Sequence, residues 1–368
     1  MQEQNDAGAP ALKEIFDRAR LAHIARETAA VCAGFDAGTF MARATENLDA
    51  LGIMQRMRQV AVSFHAALPG GYERNIETLS ALAPRIGHNF AAISLAEYVA
   101  LYGLDRFDIS MKALHFFTRF GSAEFAVRPF LSRDLNRTLA VMEGWAEDEN
   151  EHVRRLASEG CRPRLPWAAR ISALIEDPSP VGAILETLKS DPSLYVRKSV
   201  ANHLNDIGKD HPEWMLERLE GWPLADPRTA WIAKHALRSL IKKGDLRALG
   251  MIGAGGKPVL KVETMTATPS EIRLGERLFL AAKVVSTSDA SQRLVVDYAI
   301  HYVKKNGTPS CKVFKLKVFD LAPGATCDLS ISQTVKDFTT RKHFAGHHRV
   351  ELLANGETVA ESGFNLLI

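Results

Sequence analysis

The chain has 368 residues, 46% of them hydrophobic, with 46 Lys+Arg set against 43 Asp+Glu for a formal net charge of +3. That length gives room for two domains, each with its own core. The near-neutral balance excludes a polycation that grips its partner by net charge, so any affinity for an anion has to come from local patches.

The opening MQEQNDAGAPALKEIF has an early acid and no apolar run, so no signal peptide is expected. In LKEIFDRARLAHIARETAAVC (12–32) the residues Leu12, Ile15, Phe16, Ala19, Ala22 and Ile24 fall at helical steps. The most apolar stretch, FAAISLAEYVALYGL (90–104), is too short for a bilayer and is interrupted by Glu97, so no membrane is expected as a partner. MKALHFFTRFG (111–121) reads as a helix closed by Gly121.

A repeat follows. DENEHVRRLA begins at Asp148, DPSLYVRKSVA at Asp191 and a fainter DPRTAWIAKHA at Asp226, giving spacings of 43 and 35 residues. Five residues after each Asp stands a large apolar residue: Val153, Val196 and Trp231. These spacings suit helical-pair repeats of the HEAT kind, with Asp as N-cap and Pro192 and Pro227 at the first helical position. Stacked units of this type form a solenoid with a concave surface.

After GAGGKP (253–258), read as a glycine-rich hinge, the period changes to two. VLKVETM, RLFLAAKVV, LVVDYAIHYV, KVFKLKVF, ATCDLSIS, HRVELLA and ETVAESGFNLL alternate apolar and polar residues, separated by the turn signals KNG, APG and ANG. Seven such strands predict an immunoglobulin-like sandwich. The expected fold class is therefore multidomain: an all-α HEAT-like repeat solenoid over 1–252, then an all-β immunoglobulin-like sandwich over 259–368. Cys32, Cys161, Cys311 and Cys327 show no close pairing and read as reduced thiols of a cytoplasmic protein; Cys311 and Cys327 are the one pair a sheet would bring face to face.

The chemistry concentrates in NEHVRRLASEGCRPRLPWA (150–168). On a helix, Val153, Leu156 and Ala157 form the buried stripe, while His152, Arg155 and Glu159 share a polar face. Moving by one repeat, the same face carries Tyr195, Lys198 and Asn202, with Asp206 a turn further. Adjacent repeats would then aim acids and bases into one cleft. An Arg155–Glu159 pair also fits an ordinary surface ion pair worth a few tenths of a kcal/mol. Against that, Arg154, Arg162 and Arg164 add charge with no matching acids, and Pro163 and Pro166 end the helix, leaving an irregular loop with Trp167 at its base. All five tryptophans lie between 145 and 231, most of them expected in the core. Guanidinium groups, a carboxylate and an aromatic plate together suit a polyanion that carries a local positive charge. DNA alkylated on a ring nitrogen fits: its cationic base is already a good leaving group. A carboxylate then has only to stabilise positive charge on the sugar and position a water.

WAEDENEHVRRLASEGCRPRLPWA (145–168) resembles the signature of the AlkC family of bacterial DNA-alkylation-repair glycosylases, HEAT-like relatives of AlkD. The resemblance extends over 12–250, through LKEIFD, FAVRPFL (125–131), VRKSVANHLNDIGKDHP (196–212) and TAWIAKHALRSLIKKG (229–244). The strands after Lys257 match a subgroup with an appended immunoglobulin-like domain. The resemblance implies hydrolysis of the N-glycosidic bond of 3-methylcytosine, 1-methyladenine and 3-methyladenine, without flipping the base. It assigns Glu159 and Asp206 to the sugar cation and the water, and Glu124 to the shape of the lesion site. Trp167 would contact base or sugar, and Arg155 would grip phosphate.

Arg154, Arg162, Arg164, Arg197 and Lys198 are candidate contacts to the DNA backbone, as are the basic hairpin KKNGTPSCKVFKLK (304–317) and the turn RKHFAGHHR (341–349); the hairpin and turn also fit a solvated positive edge. His343, His347 and His348 lack companions for zinc, so neither a metal nor an organic cofactor is expected. The expected partner is double-stranded DNA with alkylated bases, bound by a monomer. A non-catalytic HEAT scaffold for DNA or protein is the alternative, disfavoured because a carboxylate near phosphate only repels. A carbohydrate-binding sandwich finds no platform, since 257–368 contains no Trp.

Overall fold

The computed structural model describes residues 12–338 and 342–368; the segment before Leu12, read above for a signal peptide, and Arg341 of the basic turn lie outside the described residues. The chain packs as two compact units, the first ending at His211 and the second running from Pro212 to Ile368.

The first unit is helical. The stretch expected as one helix over 12–32 is two elements: a 3-10 turn, Leu12–Phe16, and a helix, Arg18–Val31. Asp17 separates them, because its carboxylate accepts from the Arg20 N–H at 2.7 Å and so starts a new helix. The buried stripe is Phe16, Leu21, Ile24 and Ala25, while Leu12, Ala19 and Ala22 face outward. The helix Asn89–Tyr102 is apolar nearly all round because it is central, packed against the helices Ile53–Ala67 and Phe107–Phe117. Gly121 is not the cap expected of it; the helix ends at Phe117. Its role is close approach, since a Cβ there would stand 2.3 Å from the Asn89 carbonyl oxygen.

The repeat register is correct in its core and wrong at its caps. Val153, Leu156 and Ala157 of the helix Glu151–Glu159 are sealed, as are Val196, Val200, Leu204 and Ile207 of the helix Leu194–Ile207, and the two helices pack together. The N-caps, however, are Asn150 and Ser193. Asp148 and Asp191 sit two residues earlier and accept from the backbone N–H of those caps at 2.8 and 2.7 Å. Pro192 therefore precedes the helix rather than opening it. In the third copy Asp226 is itself the N-cap and Pro227 the first helical residue. That two-residue shift leaves Trp231 half-buried and places Ile232 in the core.

The second unit begins with helices Pro212–Glu220, Pro227–Ala236, Arg238–Ile241 and Leu246–Met251, so the packing boundary precedes the change of sequence period by these four helices. The segment expected as a hinge is fastened: the Ala254 N–H donates to the Leu249 carbonyl, and the Gly256 carbonyl accepts from Asn355 Nδ2 at 2.9 Å.

All seven expected strands form, with one addition. They are β1 (Leu260–Thr268), β2 (Glu271–Arg273), β3 (Arg277–Ser286), β4 (Gln292–Val303), β5 (Pro309–Leu321), β6 (Thr326–Thr334), β7 (Gly346–Ala354) and β8 (Glu357–Leu367). The short β2, too brief to show a period, pairs parallel with β8. One sheet runs β1-β3-β6 and the other β2-β8-β7-β4-β5. Leu278, Ile300, Val350 and Phe364 fill one end of the core, and Val284, Leu294, Leu329 and Leu352 the other. Cys311 on β5 and Cys327 on β6 lie in different sheets and are free thiols.

The basic hairpin forms the turn into β5, an edge strand. The histidine-rich turn differs from its expected open reach. His343 is buried and bonded to Asp337, and His348 is buried with its ring stacked on Phe364 at 5.1 Å, leaving His347 outside.

Gly356 of the ANG turn has φ +83°, and a Cβ there would fall 2.2 Å from Gly244 Cα. Gly356→Ala should therefore cost about 1–3 kcal/mol, read as a lower denaturant midpoint. An unchanged midpoint would show that the two glycines separate freely.

Candidate active site

Three segments of the first unit bring their acids together: the turn after Gly121 (Glu124), the end of the helix Glu151–Glu159 (Glu159) and the last turn of the helix Leu194–Ile207 (Asp206). Guanidinium groups alternate with them. Arg155 Nη1 donates to Glu124 Oε2 at 2.5 Å, and Arg155 Nη2 lies 3.6 Å from Glu159 Oε1. Arg162 Nη1 donates to the same Glu159 oxygen at 2.6 Å, while its Nη2 and Nε reach Asp206 Oδ2 at 2.7 and 2.9 Å. Lys209 closes the row on Asp206 Oδ1 at 2.8 Å. Ser122 Oγ donates to Glu124 Oε2 at 2.6 Å, and the Arg155 guanidinium lies over the Tyr195 ring at 4.7 Å.

Glu159 and Asp206 are only 5% and 3% exposed. Carboxylates this deep are stable only when paired, and one shared guanidinium pairs both. Burial alone would pull Arg155 and Arg162 down. The adjoining carboxylates more than reverse that and hold both above the ordinary guanidinium range, so both stay charged. Among the described residues Glu159 Oε2 and Glu124 Oε1 take no hydrogen bond, yet they are not sealed in. Each of those two acids thus has one oxygen fixed and one available to an incoming group.

Trp167 is the residue whose placement departs most from expectation. Rather than anchoring the loop, it stands 62% exposed, with φ +66°. A bulky residue held at positive φ is strained by about 1–3 kcal/mol, a cost met at functional sites where the surroundings fix the backbone. Here the clamp is Arg128, itself buried. Its guanidinium donates to the carbonyls of Gly160 and Arg162 at 3.0 and 2.8 Å and to that of Ala169. Sequence reasoning missed Arg128 as a working residue. The available signal was a lone cation inside the apolar run FAVRPFL, which has to find internal acceptors.

The five basic residues expected at the DNA backbone separate sharply. Arg162 is the buried bridge and is not exposed for a phosphate. Arg154 is held by both oxygens of Asp191 and by the carbonyls of Asp148 and Glu149. Arg197, one repeat later, donates in the same way to the carbonyls of Asp191 and Pro192. The arginine six residues after the repeat's Asp thus secures the loop before its own helix. Arg164 makes a two-pronged pair with Asp210, 2.8 Å at each prong. Lys198 is exposed and, among the described residues, without an ion pair, and so is Arg170, three residues beyond Trp167, which sequence reasoning passed over.

His203 lies fully buried near Arg162 and Asp206, where burial and then the Arg162 charge push it down to about 3 from 6.5. The unfolded chain therefore binds a proton below about pH 6.5 that the native state refuses, so stability falls as pH drops through that window. Between pH 7 and 5 this one group should remove about 2 kcal/mol. His203→Leu should flatten that part of the urea-midpoint profile; an unaltered profile would show that another group carries it.

Residues 39–240 match the family described as "DNA alkylation repair enzyme", and residues 261–368 match "Uncharacterised protein YhaZ, C-terminal Ig-like domain". The uncharacterized protein YhaZ of Bacillus subtilis (strain 168) is 41% identical over 347 residues, covering 94% of this chain and 96% of that protein. The solved structure of Pseudomonas fluorescens alkylpurine DNA glycosylase AlkC, bound to DNA containing an abasic-site analog, is similar at 54% identity and a TM-score of 0.95. That match covers 98% of this chain and 100% of the other. The alternating acids and arginines thus stand on the helical frame of a DNA alkylation repair enzyme carrying a YhaZ-type immunoglobulin-like domain, and that is the family to which the chain belongs.

Proposed function

We propose that the protein is a DNA glycosylase that hydrolyses the N-glycosidic bond of cationic N-alkylated bases, 3-methylcytosine, 1-methyladenine and 3-methyladenine among them. The observation that carries this reading is the row of Glu124, Glu159 and Asp206 threaded on Arg155 and Arg162 beside an exposed Trp167. Departure of the cationic base takes the bonding electron pair and leaves the base neutral. Positive charge then develops on the deoxyribose, where Glu159 and Asp206 stabilise it. Water forms the new C1′–O bond, and its proton passes to a carboxylate oxygen, for which Glu159 Oε2 is free. Nothing in this sequence requires the base to leave the stack. No lysine or other amine is assigned to the sugar, so the product is an abasic site with an intact strand. Lys198 and Arg170 grip phosphate, and the immunoglobulin-like domain adds contacts to the duplex bound by a monomer. The fit to AlkC, whose structure holds DNA with an abasic-site analog, supports the reading.

The direct experiment incubates the protein with methylated DNA and identifies released bases by chromatography. Free methylated bases and alkali-labile abasic sites are expected; binding without release would favour the scaffold. In the same assay Trp167→Ala should slow release about 5–150-fold, the equivalent of a 1–3 kcal/mol base–aromatic contact, with folding stability nearly unchanged.

A further inference from the structure

Beside the Trp167 loop lies a cleft of about 420 Å³, lined by Met54, Met57, Phe125, Trp167, Glu97 and Arg58 among others. Its size falls within the range of roughly 300–1,000 Å³ usual for small-molecule sites. Its walls are two flexible thioethers, an aromatic ring and the exposed indole, a lining suited to a flat, polarisable ring. One of its polar groups is unusual. Glu97 interrupts the otherwise apolar helix Asn89–Tyr102, and only 12% of its side chain is exposed. Among the described residues its carboxyl takes no hydrogen bond, and its ion pair is a 3.8 Å contact with the exposed Arg58. Burial pushes its pKa up, with Arg58 opposing, and its unbonded oxygens can accept from a ligand's N–H groups. A half-buried carboxyl without hydrogen bonds costs stability unless something occupies the cleft.

The cleft also shares its frame with the acid row. Phe125 follows Glu124, and Arg128, which lines the cleft, holds the carbonyls of Gly160 and Arg162 in the segment that carries the Glu159–Arg162 pair. We propose that this cleft receives a planar nitrogen heterocycle, the base set free at the acid row, stacked on Trp167 with its N–H edge on Glu97. The proposal rests on the glycosylase reading, but its test does not.

Equilibrium dialysis of free 3-methyladenine and of adenine against wild type, Glu97→Ala, Glu97→Gln and the cleft-filling Met54→Trp reads binding directly, without any excision. Submillimolar binding by wild type is expected, weakened at least tenfold by Glu97→Ala and by Met54→Trp, while Glu97→Ala releases base from methylated DNA at the wild-type single-turnover rate. Binding should persist with abasic-analogue DNA saturating the protein. Displacement of the free base by that DNA would assign the cleft to a base still in the strand and overturn the product site. No binding, or binding indifferent to Glu97 and Met54, would overturn the cleft as a heterocycle site. Free-base binding by a protein that excises nothing would instead count against the glycosylase reading alone.

Discussion

Glu159→Gln is expected to slow base release by about 10²–10⁴-fold while binding to abasic-analogue DNA stays within about threefold or tightens. The amide keeps the shape of the side chain and retains an oxygen for Arg162, which now donates to Glu159 Oε1 at 2.6 Å. What it loses is charge. A unit charge about 4 Å from a developing cation is worth about 4 kcal/mol at an effective dielectric of 20, near a factor of 10³ in rate. The sign for binding is opposite, because an acid facing a phosphate backbone repels it. Single-turnover release and a binding isotherm on the same preparation separate the two effects. Equal losses in both would point to a scaffold.

Arg162→Ala is expected to be the most destabilising single change in the site. The guanidinium satisfies two carboxylates that are almost wholly removed from water. Deleting one partner of a buried ion pair costs about 3–5 kcal/mol, because the remaining charge keeps its desolvation penalty. Here two acids remain, facing each other, with Lys209 holding only Asp206 and Arg155 3.6 Å from Glu159. A melting point lower by roughly 10 °C follows. Pairing Arg162→Ala with Asp206→Asn should recover part of that loss, since one uncompensated charge is removed. Arg162→Lys retains charge but offers a single point donor that cannot reach both acids in the same geometry. It should fold better than the alanine variant yet release base at least tenfold more slowly than wild type. Near-wild-type melting for Arg162→Ala would mean the acids are hydrated and the bridge incidental.

Much of this architecture was legible in the chain itself. The switch from helical to alternating period marked the two kinds of structure, and seven strands were found because their apolar residues fill two facing sheets. The shared face of Arg155 and Glu159 emerged from helical geometry, and the 43-residue shift that aligned Asp206 with it reflects two helices packed side by side. The illegible parts have physical causes. Asp148 and Asp191 resembled N-caps because Asp, Asn and Ser cap equally well, and sequence does not reveal which of them in DEN or DPS takes the position. Arg162 reads as a phosphate ligand in sequence because its second acid, Asp206, arrives from 44 residues away. Arg128 acts on backbone carbonyls, which carry no residue signature. His343 and His348 looked like solvent-facing cations, whereas burial beside Asp337 and Phe364 makes them part of the sandwich core.

A double-mutant cycle of Glu159→Gln and Asp206→Asn, read as single-turnover base release, probes most directly whether two acids from neighbouring repeats serve one sugar cation. If they do, the double variant should be little slower than the slower single one, a coupling of about 1–3 kcal/mol. Losses that simply multiply, or an Asp206→Asn variant as fast as wild type, would contradict a shared site.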